Sequence, residues 1–328
     1  MEELLDVRLC DLDLRLEETV LQRRVDRLLA ELERARLRFR PYMWLSTEWF
    51  TPEGSSGFAI PFYLAHPRLI RVEHSQMFEA EGGTQDSFMR LLRHETGHAL
   101  DNAYRLHRKR SWRRAFGNYT QPYRAEYLAR PSSRNYVQNL GFWYAQSHPA
   151  EDYAETFAVW LAPGTRWRKS YEGWPALAKL QQLDAMLKEI AGKKPFATTR
   201  DRPMSMPRLK QTLRDYYRRK KSVYAVDQPT IQDRQLVHLF GEPTGRHRRE
   251  RASTFLRRNR VELRNRVAAL TGQSRYAIDQ SLSTMILRCR ELGLRCVRPR
   301  SETRILAAVL LTMTTLNLTR SRSNRYLR

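Results

Sequence analysis

The chain has 328 residues, of which 41% are hydrophobic and 29% are charged, and its formal net charge at pH 7 is +24. This composition excludes a disordered chain and supplies enough apolar side chains for one large domain or two ordinary ones. The charge is uneven, because residues 201–328 hold 29 Lys or Arg against 10 Asp or Glu. Such an excess is typical of a chain that binds nucleic acid, an acidic protein or an anionic membrane surface, although an Arg-rich composition that favours solubility explains it equally.

The three cysteines, Cys10, Cys289 and Cys296, are too few and too widely spaced for a disulfide framework. Reduced thiols and a cytoplasmic location are therefore predicted. The first 20 residues are acidic and amphipathic, which is unlike a signal peptide. The longest apolar stretch, residues 305–318, is too short to span a bilayer, so no transmembrane segment is predicted.

Leucine and valine recur at helical spacing near the N-terminus, so residues 1–39 are predicted to form one long helix that packs on the following domain. Residues 42–45 and 58–64 are short apolar runs bounded by proline, glycine and serine, and both are predicted to be strands. A third candidate strand covers residues 69–72. Because Pro61 lacks a backbone N–H, residues 58–64 are expected at the edge of a small mixed sheet.

Helices follow these strands. A loop over residues 81–86 ends at Asp86, which is a predicted N-cap, and the helix after it runs to about His107. Ser147 is the predicted cap of a second helix, which has Pro149 in its first turn and ends near Leu161. The other predicted helices cover residues 174–192, 207–220, 250–270, 274–293 and 302–318.

Glycine, lysine and proline concentrate in residues 192–207, which are predicted to be a boundary. The prediction is therefore an α+β fold in three parts. An N-terminal helix covers residues 1–39, a domain with a small mixed sheet and its helices covers residues 40–195, and a mainly helical, basic domain covers residues 207–328.

The helix predicted to follow Asp86 carries an H-E-x-x-H motif, His94-Glu95-Thr96-Gly97-His98. Residues four apart share one face of a helix, so both imidazoles point to the same place. Two neutral imidazoles suit a zinc ion, and Glu95 is adjacent to the first of them, where it can take a proton from water without binding the metal. A structural zinc would need a fourth ligand, usually cysteine, and none lies nearby in the sequence. One catalytic zinc per chain is therefore predicted, with His94 and His98 as ligands.

A catalytic zinc also needs a third protein ligand. The metzincin continuation requires glycine and histidine where this chain has Asp101 and Tyr104, which excludes that class. The second helix supplies Glu151 and Glu155, four residues apart on one face. One carboxylate can bind the metal while the other accepts the second N–H of a histidine ligand. We assign Glu151 to the metal and Glu155 to the histidine.

Two stretches, Leu92–His98 and Tyr144–Ala158, resemble the zinc-binding metallopeptidase family of bacteria, whose members show a similar H-E-x-G-H helix and a similar Y-A-x-x-H-P-x-E-D-x-A-E-T segment. The layout also resembles the catalytic domain of anthrax lethal factor, a site of the gluzincin type. The resemblance implies a zincin-like catalytic domain in which Glu151 binds zinc. It further implies that Tyr144, seven residues before Glu151, donates its hydroxyl to the developing oxyanion, with a core tyrosine as the alternative.

Two neighbouring side chains have open roles. His148 is either a substitute ligand or substrate contact, or a histidine whose hydrogen bonds are satisfied within a turn. Asp101 either braces the helix or His98 as a carboxylate behind the ligands, or it serves as a surface or capping residue.

The motif and the resemblance together predict a zinc metalloendopeptidase, in which a zinc-activated water attacks the peptide bond and Glu95 is the general base. An extended protein or peptide substrate is expected to pair with the edge strand over residues 58–64. A non-catalytic zinc-fold binding module is an alternative, but such a module would not need Glu95.

The basic region, residues 207–328, leaves another alternative open, a protease recruited to nucleic acid or to an acidic partner. Its clustered basic residues are Arg214, Arg218, Arg219, Lys220, Lys221, Arg246, Arg248, Arg249, Arg251, Arg257, Arg258 and Arg260, with Tyr216, Tyr217, Tyr224 and Phe255 among them. Solvated helix faces explain this run equally well.

Overall fold

The computed structural model describes residues 2–124, 127, 129–197, 200–225, 233–241 and 249–320, the last four by their backbone only. The chain divides into two compact units, residues 1–216 and residues 217–326. Helices dominate both units, and the strands of the described residues lie in the first, so the predicted α+β class with a helical C-terminal region is confirmed. The three predicted domain ranges remain a prediction. Within the described residues, no helix combines the length and the apolar composition that crossing a bilayer requires.

The first unit is built around two adjacent strands and two long helices. Its elements are α1 (Glu2–Leu5), α2 (Gln22–Arg34), β1 (Tyr42–Ser46), β2 (Gly57–Pro61), α3 (Pro67–Met77), α4 (Gln85–Tyr104), α5 (Arg110–Phe116), α6 (Pro149–Leu161), α7 (Trp167–Ser170), α8 (Ala176–Ile190) and α9 (Leu213–Tyr224), the last of which continues into residues 217–224.

The sheet of the described residues is two-stranded and parallel, where a mixed sheet was predicted. Met43 pairs with Phe58 and Leu45 with Ile60. The strands approach closely at Gly57, where a Cβ atom would lie 2.3 Å from the carbonyl oxygen of Tyr42, so only glycine fits. The backbone N–H of Ala59 donates to the carbonyl of Phe50 at 2.9 Å. The edge of β2 that was expected to pair with substrate is therefore already hydrogen-bonded to Phe50 at Ala59.

The single helix predicted over residues 1–39 is wrong. The structure has α1, two short 3₁₀ turns and then α2. The backbone N–H groups of Leu9 and Cys10 donate to the carbonyls of Gln211 and Leu209, at 2.9 and 3.0 Å, instead of to a helix of their own. Asp13 has a left-handed backbone with a φ of 43°, which no continuous helix allows. Pairing with a distant segment overrides the local helical spacing here.

Residues 69–72, a candidate strand in the sequence, lie inside helix α3. The ring of His66 caps this helix by accepting the backbone N–H of Arg68, and Pro67 occupies the first helical position. A run of four residues, three of them apolar, is too short to distinguish a strand from a buried helix face, which explains the error. Similarly, the strand predicted over residues 58–64 ends at Pro61 and continues as a 3₁₀ turn over Phe62–Ala65.

The second unit is a helical bundle with its own core. Its helices are α10 (Asp233–Phe240), α11 (Ala252–Arg258), α12 (Arg260–Thr271), α13 (Arg275–Glu291) and α14 (Arg300–Arg320). Buried side chains of these helices, including Phe240, Phe255, Ile278 and Met285, form one apolar cluster. The helix predicted over residues 250–270 is two helices that break at Asn259, and α10 was not predicted.

Candidate metal centre

Helix α4 begins two residues earlier than the sequence predicts. Thr84, and not Asp86, is its N-cap, because Thr84 and Ser87 exchange side-chain-to-backbone hydrogen bonds in a capping box. The helix carries His94 and His98 on the same face, one turn apart, and their Nε2 atoms lie 3.1 Å from each other. The spacing of the motif therefore brings the two imidazoles together as expected.

Helix α6 brings a carboxylate to these imidazoles because it packs unusually close to α4. A Cβ atom on Gly97 would lie 3.0 Å from the Cα of Ala154 and 3.2 Å from the Cβ of Phe157. The glycine between the two histidines thus lets the backbones of the two helices approach. Glu151 stands at the start of α6 and is 5% exposed.

Three ligand atoms form a nearly equilateral triangle. The Oε2 atom of Glu151 lies 3.1 Å from Nε2 of His94 and 3.2 Å from Nε2 of His98, while the two nitrogens are 3.1 Å apart. Ligands about 2.0–2.1 Å from a tetrahedral zinc are separated by about 3.3–3.4 Å from one another. Among the described residues, these three are the group with atoms close enough to hold a metal ion.

The proton on His94 explains why this triangle suits a cation. Nδ1 of His94 lies 2.8 Å from Oε1 of Glu155, which is fully buried, so Nδ1 carries the proton and donates it to the carboxylate. In the neutral imidazole, Nε2 then carries no proton, and its lone pair faces the centre of the triangle. Lone pairs of two imidazoles and one carboxylate oxygen repel each other unless a cation lies among them. The donor set therefore fits zinc.

The electrostatics of the site point the same way. Burial alone would lower the pKa of His94, but the carboxylates of Glu151 and Glu155 raise this pKa well above its usual value. Burial alone would raise the pKa of Glu151, but His98 and His94 hold it well below its usual value. The surroundings of the triangle thus favour positive charge at its centre.

Besides His94, two other groups form hydrogen bonds with the carboxylate of Glu155. Its Oε1 atom also accepts the side-chain amide of Asn139 at 2.9 Å, and its Oε2 atom accepts the backbone N–H of Leu140 at 2.8 Å. The guanidinium of Arg90, one turn before His94, donates to the carbonyl of Asn139 at 2.8 Å. No sequence pattern predicted a role for Asn139, because this residue lies in an irregular segment with no recognisable spacing.

Glu95 has a partner that the sequence did not indicate. The hydroxyl of Thr51 lies 2.7 Å from Oε2 of Glu95 and 3.3 Å from its backbone carbonyl. Thr51 stands in the connection between β1 and β2. The same connection is held by Asn102, two turns after Glu95 on α4, which donates to the carbonyls of Pro52 and Ser55. These contacts hold the carboxylate of Glu95 against the connection between β1 and β2.

Tyr144 lies next to the triangle, with its ring centroid 5.7 Å from that of His94. Burial, together with the nearby charge of Glu151, raises the pKa of its hydroxyl well above the usual value. The phenol therefore keeps its proton at neutral pH and is a hydrogen-bond donor. A second phenol was not predicted: Tyr123 donates to Oε1 of Glu151 at 2.8 Å.

The two side chains with open roles both have hydrogen bonds within turns. His148, and not Ser147, caps α6, because its Nδ1 atom accepts the backbone N–H of Ala150. The carboxylate of Asp101 accepts the backbone N–H of His107 at 2.7 Å and lies 3.2 Å from its Nδ1 atom. The geometry favours the capping alternative for each of them.

Comparison with known proteins gives a family for the part of the chain that carries the centre. No curated protein and no solved structure matches the chain. The likenesses to gluzincins and to lethal factor therefore stay predictions. Residues 79–165, which contain His94, Glu95, His98, Glu151 and Glu155, match the model of a family described as "Putative zinc-binding metallo-peptidase", the family that the sequence motifs resemble.

Proposed function

We propose that this chain is a zinc-dependent endopeptidase whose metal is held by His94, His98 and Glu151. The family match supports a zinc metallopeptidase in general. The observation that carries the finer proposal is the triangle of three acceptor atoms, with sides of 3.1, 3.1 and 3.2 Å, together with Glu95, which directly follows His94 on α4. Three protein ligands leave one position open for water or substrate, which is typical of a catalytic zinc.

Each residue of the site then has a chemical task. His94, His98 and Glu151 would hold the zinc ion, which would act as a Lewis acid on the scissile carbonyl and would acidify the attacking water. Glu95 takes the proton of the attacking water and passes it to the leaving amine. Tyr144, whose phenol stays protonated, donates to the oxygen of the carbonyl as negative charge develops there. Thr51 holds one oxygen of Glu95, so the other oxygen is the base.

The substrate is proposed to be a protein or an extended peptide. The bond between Ala59 and Phe50 makes the outer edge of β2 a poor template at that residue. We therefore propose the chemical class of the substrate but no strand of the protein that pairs with it.

Replacing Glu95 by Gln tests the mechanism. The amide keeps the size of the side chain and can accept the hydroxyl of Thr51, but it cannot take a proton. We expect cleavage of denatured casein to fall about 10²–10⁴-fold, while mass spectrometry still finds one zinc per chain. Glu172→Gln, the same change at an exposed residue, is the control and should retain full activity.

The outcomes separate the alternatives. Full activity of the Glu95→Gln variant would contradict Glu95 as the base. Loss of zinc from His98→Ala together with loss of cleavage would support a catalytic metal. A wild-type protein that binds zinc and cleaves no casein or mixed peptide substrate would favour the non-catalytic binding module.

We also propose that the basic C-terminal region binds a polyanion such as nucleic acid. Each acidic residue that the structure describes within residues 217–326 pairs with an arginine of the same unit, and the basic residues described there outnumber the acidic ones, so the net positive charge of the unit attracts polyanions. The acidic residues in these pairs are Asp233, Glu250, Glu262, Asp279, Glu291 and Glu302. Arg246 and Arg248 of the clustered basic run lie outside the described residues.

Three of the four aromatic residues of this basic run, all but the partly buried Tyr224, do not support stacking on bases. Tyr216, Tyr217 and Phe255 are 5% exposed or less, so their faces are not available to a ligand. Binding through phosphates alone is expected to lack sequence preference and to weaken steeply with salt. Retention on immobilised double-stranded DNA that falls with increasing NaCl would support the proposal, and elution at 50 mM NaCl would contradict it.

A further inference from the structure

Tyr123 lies against the predicted metal ligand from a segment outside both ligand helices. Its hydroxyl donates to Oε1 of Glu151 at 2.8 Å. The other oxygen of this carboxylate, Oε2, faces the two imidazoles at 3.1 and 3.2 Å. Oε1 of Glu151 therefore accepts the hydrogen bond from the phenol, while Oε2 faces the two imidazoles.

His148 holds the ring of Tyr123. The two rings stack with centroids 3.8 Å apart and an angle of 13° between their planes. Because Nδ1 of His148 accepts the backbone N–H of Ala150, its proton is on Nε2, which donates to the carbonyl of Gln121 at 2.8 Å. The histidine that caps α6 therefore also ties down the segment that carries Tyr123.

A carboxylate can bind a metal ion through one oxygen or through both, and neighbouring hydrogen bonds decide which. Breaking such bonds to metal ligands typically lowers metal affinity about 10–100-fold. A carboxylate oxygen only accepts hydrogen bonds, so the phenol of Tyr123 supplies the proton in its 2.8 Å bond to Oε1 of Glu151. An oxygen that accepts this proton is held away from the centre.

We propose that Tyr123 is a positioning residue that restricts Glu151 to a single ligating oxygen, and that His148 positions Tyr123 by stacking on it. This inference rests on the proposed zinc site. It keeps the fourth position at the metal open for water, because a carboxylate that binds through both oxygens would fill it. Glu151 can then serve as the third ligand without blocking the chemistry that Glu95 performs.

The test is zinc affinity, measured by competition with a chromogenic chelator. Tyr123→Phe removes only the hydroxyl, and the ring is 44% exposed, so the substitution leaves no buried cavity. We expect zinc affinity to fall about 10-fold or more. We also expect the visible absorption of the cobalt-substituted protein to weaken, because both oxygens of Glu151 then reach the ion and raise its coordination number. Tyr136→Phe, whose ring lies near Lys179, is the matched control and should change neither quantity.

A second variant tests the stacking. Asparagine is a good N-cap, so His148→Asn keeps the cap of α6 while it removes the imidazole ring. We expect this variant to lower zinc affinity by less than Tyr123→Phe. The double variant should bind zinc no more weakly than Tyr123→Phe alone, because both changes act through one hydrogen bond.

The outcomes distinguish this inference from the proposed function. Unchanged zinc affinity and an unchanged cobalt spectrum in folded Tyr123→Phe would overturn the inference and leave the peptidase proposal intact. A wild-type protein that binds no zinc would overturn both. If Tyr123→Phe does not fold, an unchanged zinc affinity in His148→Asn would overturn it, and if Tyr123→Phe folds, strictly additive losses in the double variant would overturn the stacking role of His148. Weakened zinc binding in a protein that hydrolyses no peptide would support the inference and refute the peptidase.

Discussion

The imidazole of His94 is the most constrained side chain of the metal centre. Its Nδ1 atom is bound by a buried carboxylate, and its Nε2 atom lies 3.1 Å from both other ligand atoms. Glu155 accepts three hydrogen bonds in all, so neither of its oxygens can turn towards the ion. At the scale of single residues, this is why Glu151, and not Glu155, is the proposed ligand.

Replacing Glu155 by Gln tests this division of roles. The amide brings an N–H group to a position where the chain already supplies three donors, so at least one hydrogen bond is lost and His94 is no longer fixed in one tautomer. We expect zinc affinity to fall about 10–100-fold, measured by chelator competition. Asp101→Asn is the comparison, because its hydrogen bonds are to His107, and we expect its zinc affinity to stay within about threefold of wild type. Equal losses in both variants would contradict the assignment.

The residues of the centre differ in how far the sequence could predict them. His94 and His98 are four residues apart on one helix, so their common face follows from helix geometry alone, and Glu95 directly follows His94 in the same motif. Glu151 and Glu155 required a second helix at the right distance, which only the motif and the resemblance supplied. Thr51 and Tyr123 come from irregular segments, and no local pattern of residues marks a contact that depends on tertiary folding.

At the scale of elements, the distance between α4 and α6 determines whether the centre exists. Gly97 lies between the two histidines, where any side chain would meet Ala154 and Phe157 of α6. Helix α4 is also bound to α2, because Arg93 forms a buried, bidentate ion pair with Glu31 of α2, at 2.7 and 2.9 Å. The helix that carries the motif is thus held between two others.

Replacing Gly97 by Ala should push the two helices apart. Alanine favours a helix by about 1 kcal/mol over glycine. A Cβ atom 3.0 Å from the backbone of Ala154 cannot be accommodated by a side-chain rotation, and such overpacking costs about 1–3 kcal/mol. We therefore expect a lower melting temperature and weaker zinc binding, since Glu151 moves with α6.

Gly141→Ala is the control for this prediction. A Cβ atom on Gly141 would meet nothing within 4 Å, and its backbone does not require a positive φ. The control should retain the melting temperature and the zinc affinity of the wild type. A Gly97→Ala variant with wild-type zinc affinity would show that the close approach of the helices is not needed for the centre.

The elements themselves could be predicted where helix signals were local and strong. The end of α6 at Leu161 and the extent of α13 follow from periodicity and stop signals within the segment. Residues 1–39 have the same periodicity, but the backbone N–H groups of Leu9 and Cys10 donate to carbonyls of residues 209–211. Such pairing depends on a segment about 200 residues away, which local spacing does not encode.

At the scale of the whole molecule, residues 196–216 belong to the first unit and not to a linker. Three side chains of β1, those of Tyr42, Trp44 and Ser46, donate to carbonyls of this segment at 2.8, 3.0 and 2.8 Å. Its last part pairs with residues 7–10, and the ring of Tyr216 packs against Phe62. The sequence predicted a boundary over residues 192–207, because composition does not reveal that backbone carbonyls of this part of the chain accept hydrogen bonds from β1.

Two fragments test this organisation. A fragment of residues 1–224 keeps all of these contacts, so we expect it to fold and to bind one zinc per chain with the affinity of the full protein. A fragment of residues 1–195 loses several hydrogen bonds worth about 0.5–1.5 kcal/mol each, a sum that is comparable to the ~5–15 kcal/mol total stability of a domain. We expect it to be unfolded or to melt far below the longer fragment in a circular dichroism scan. Equal melting temperatures of the two fragments would mean that residues 196–216 are a linker after all.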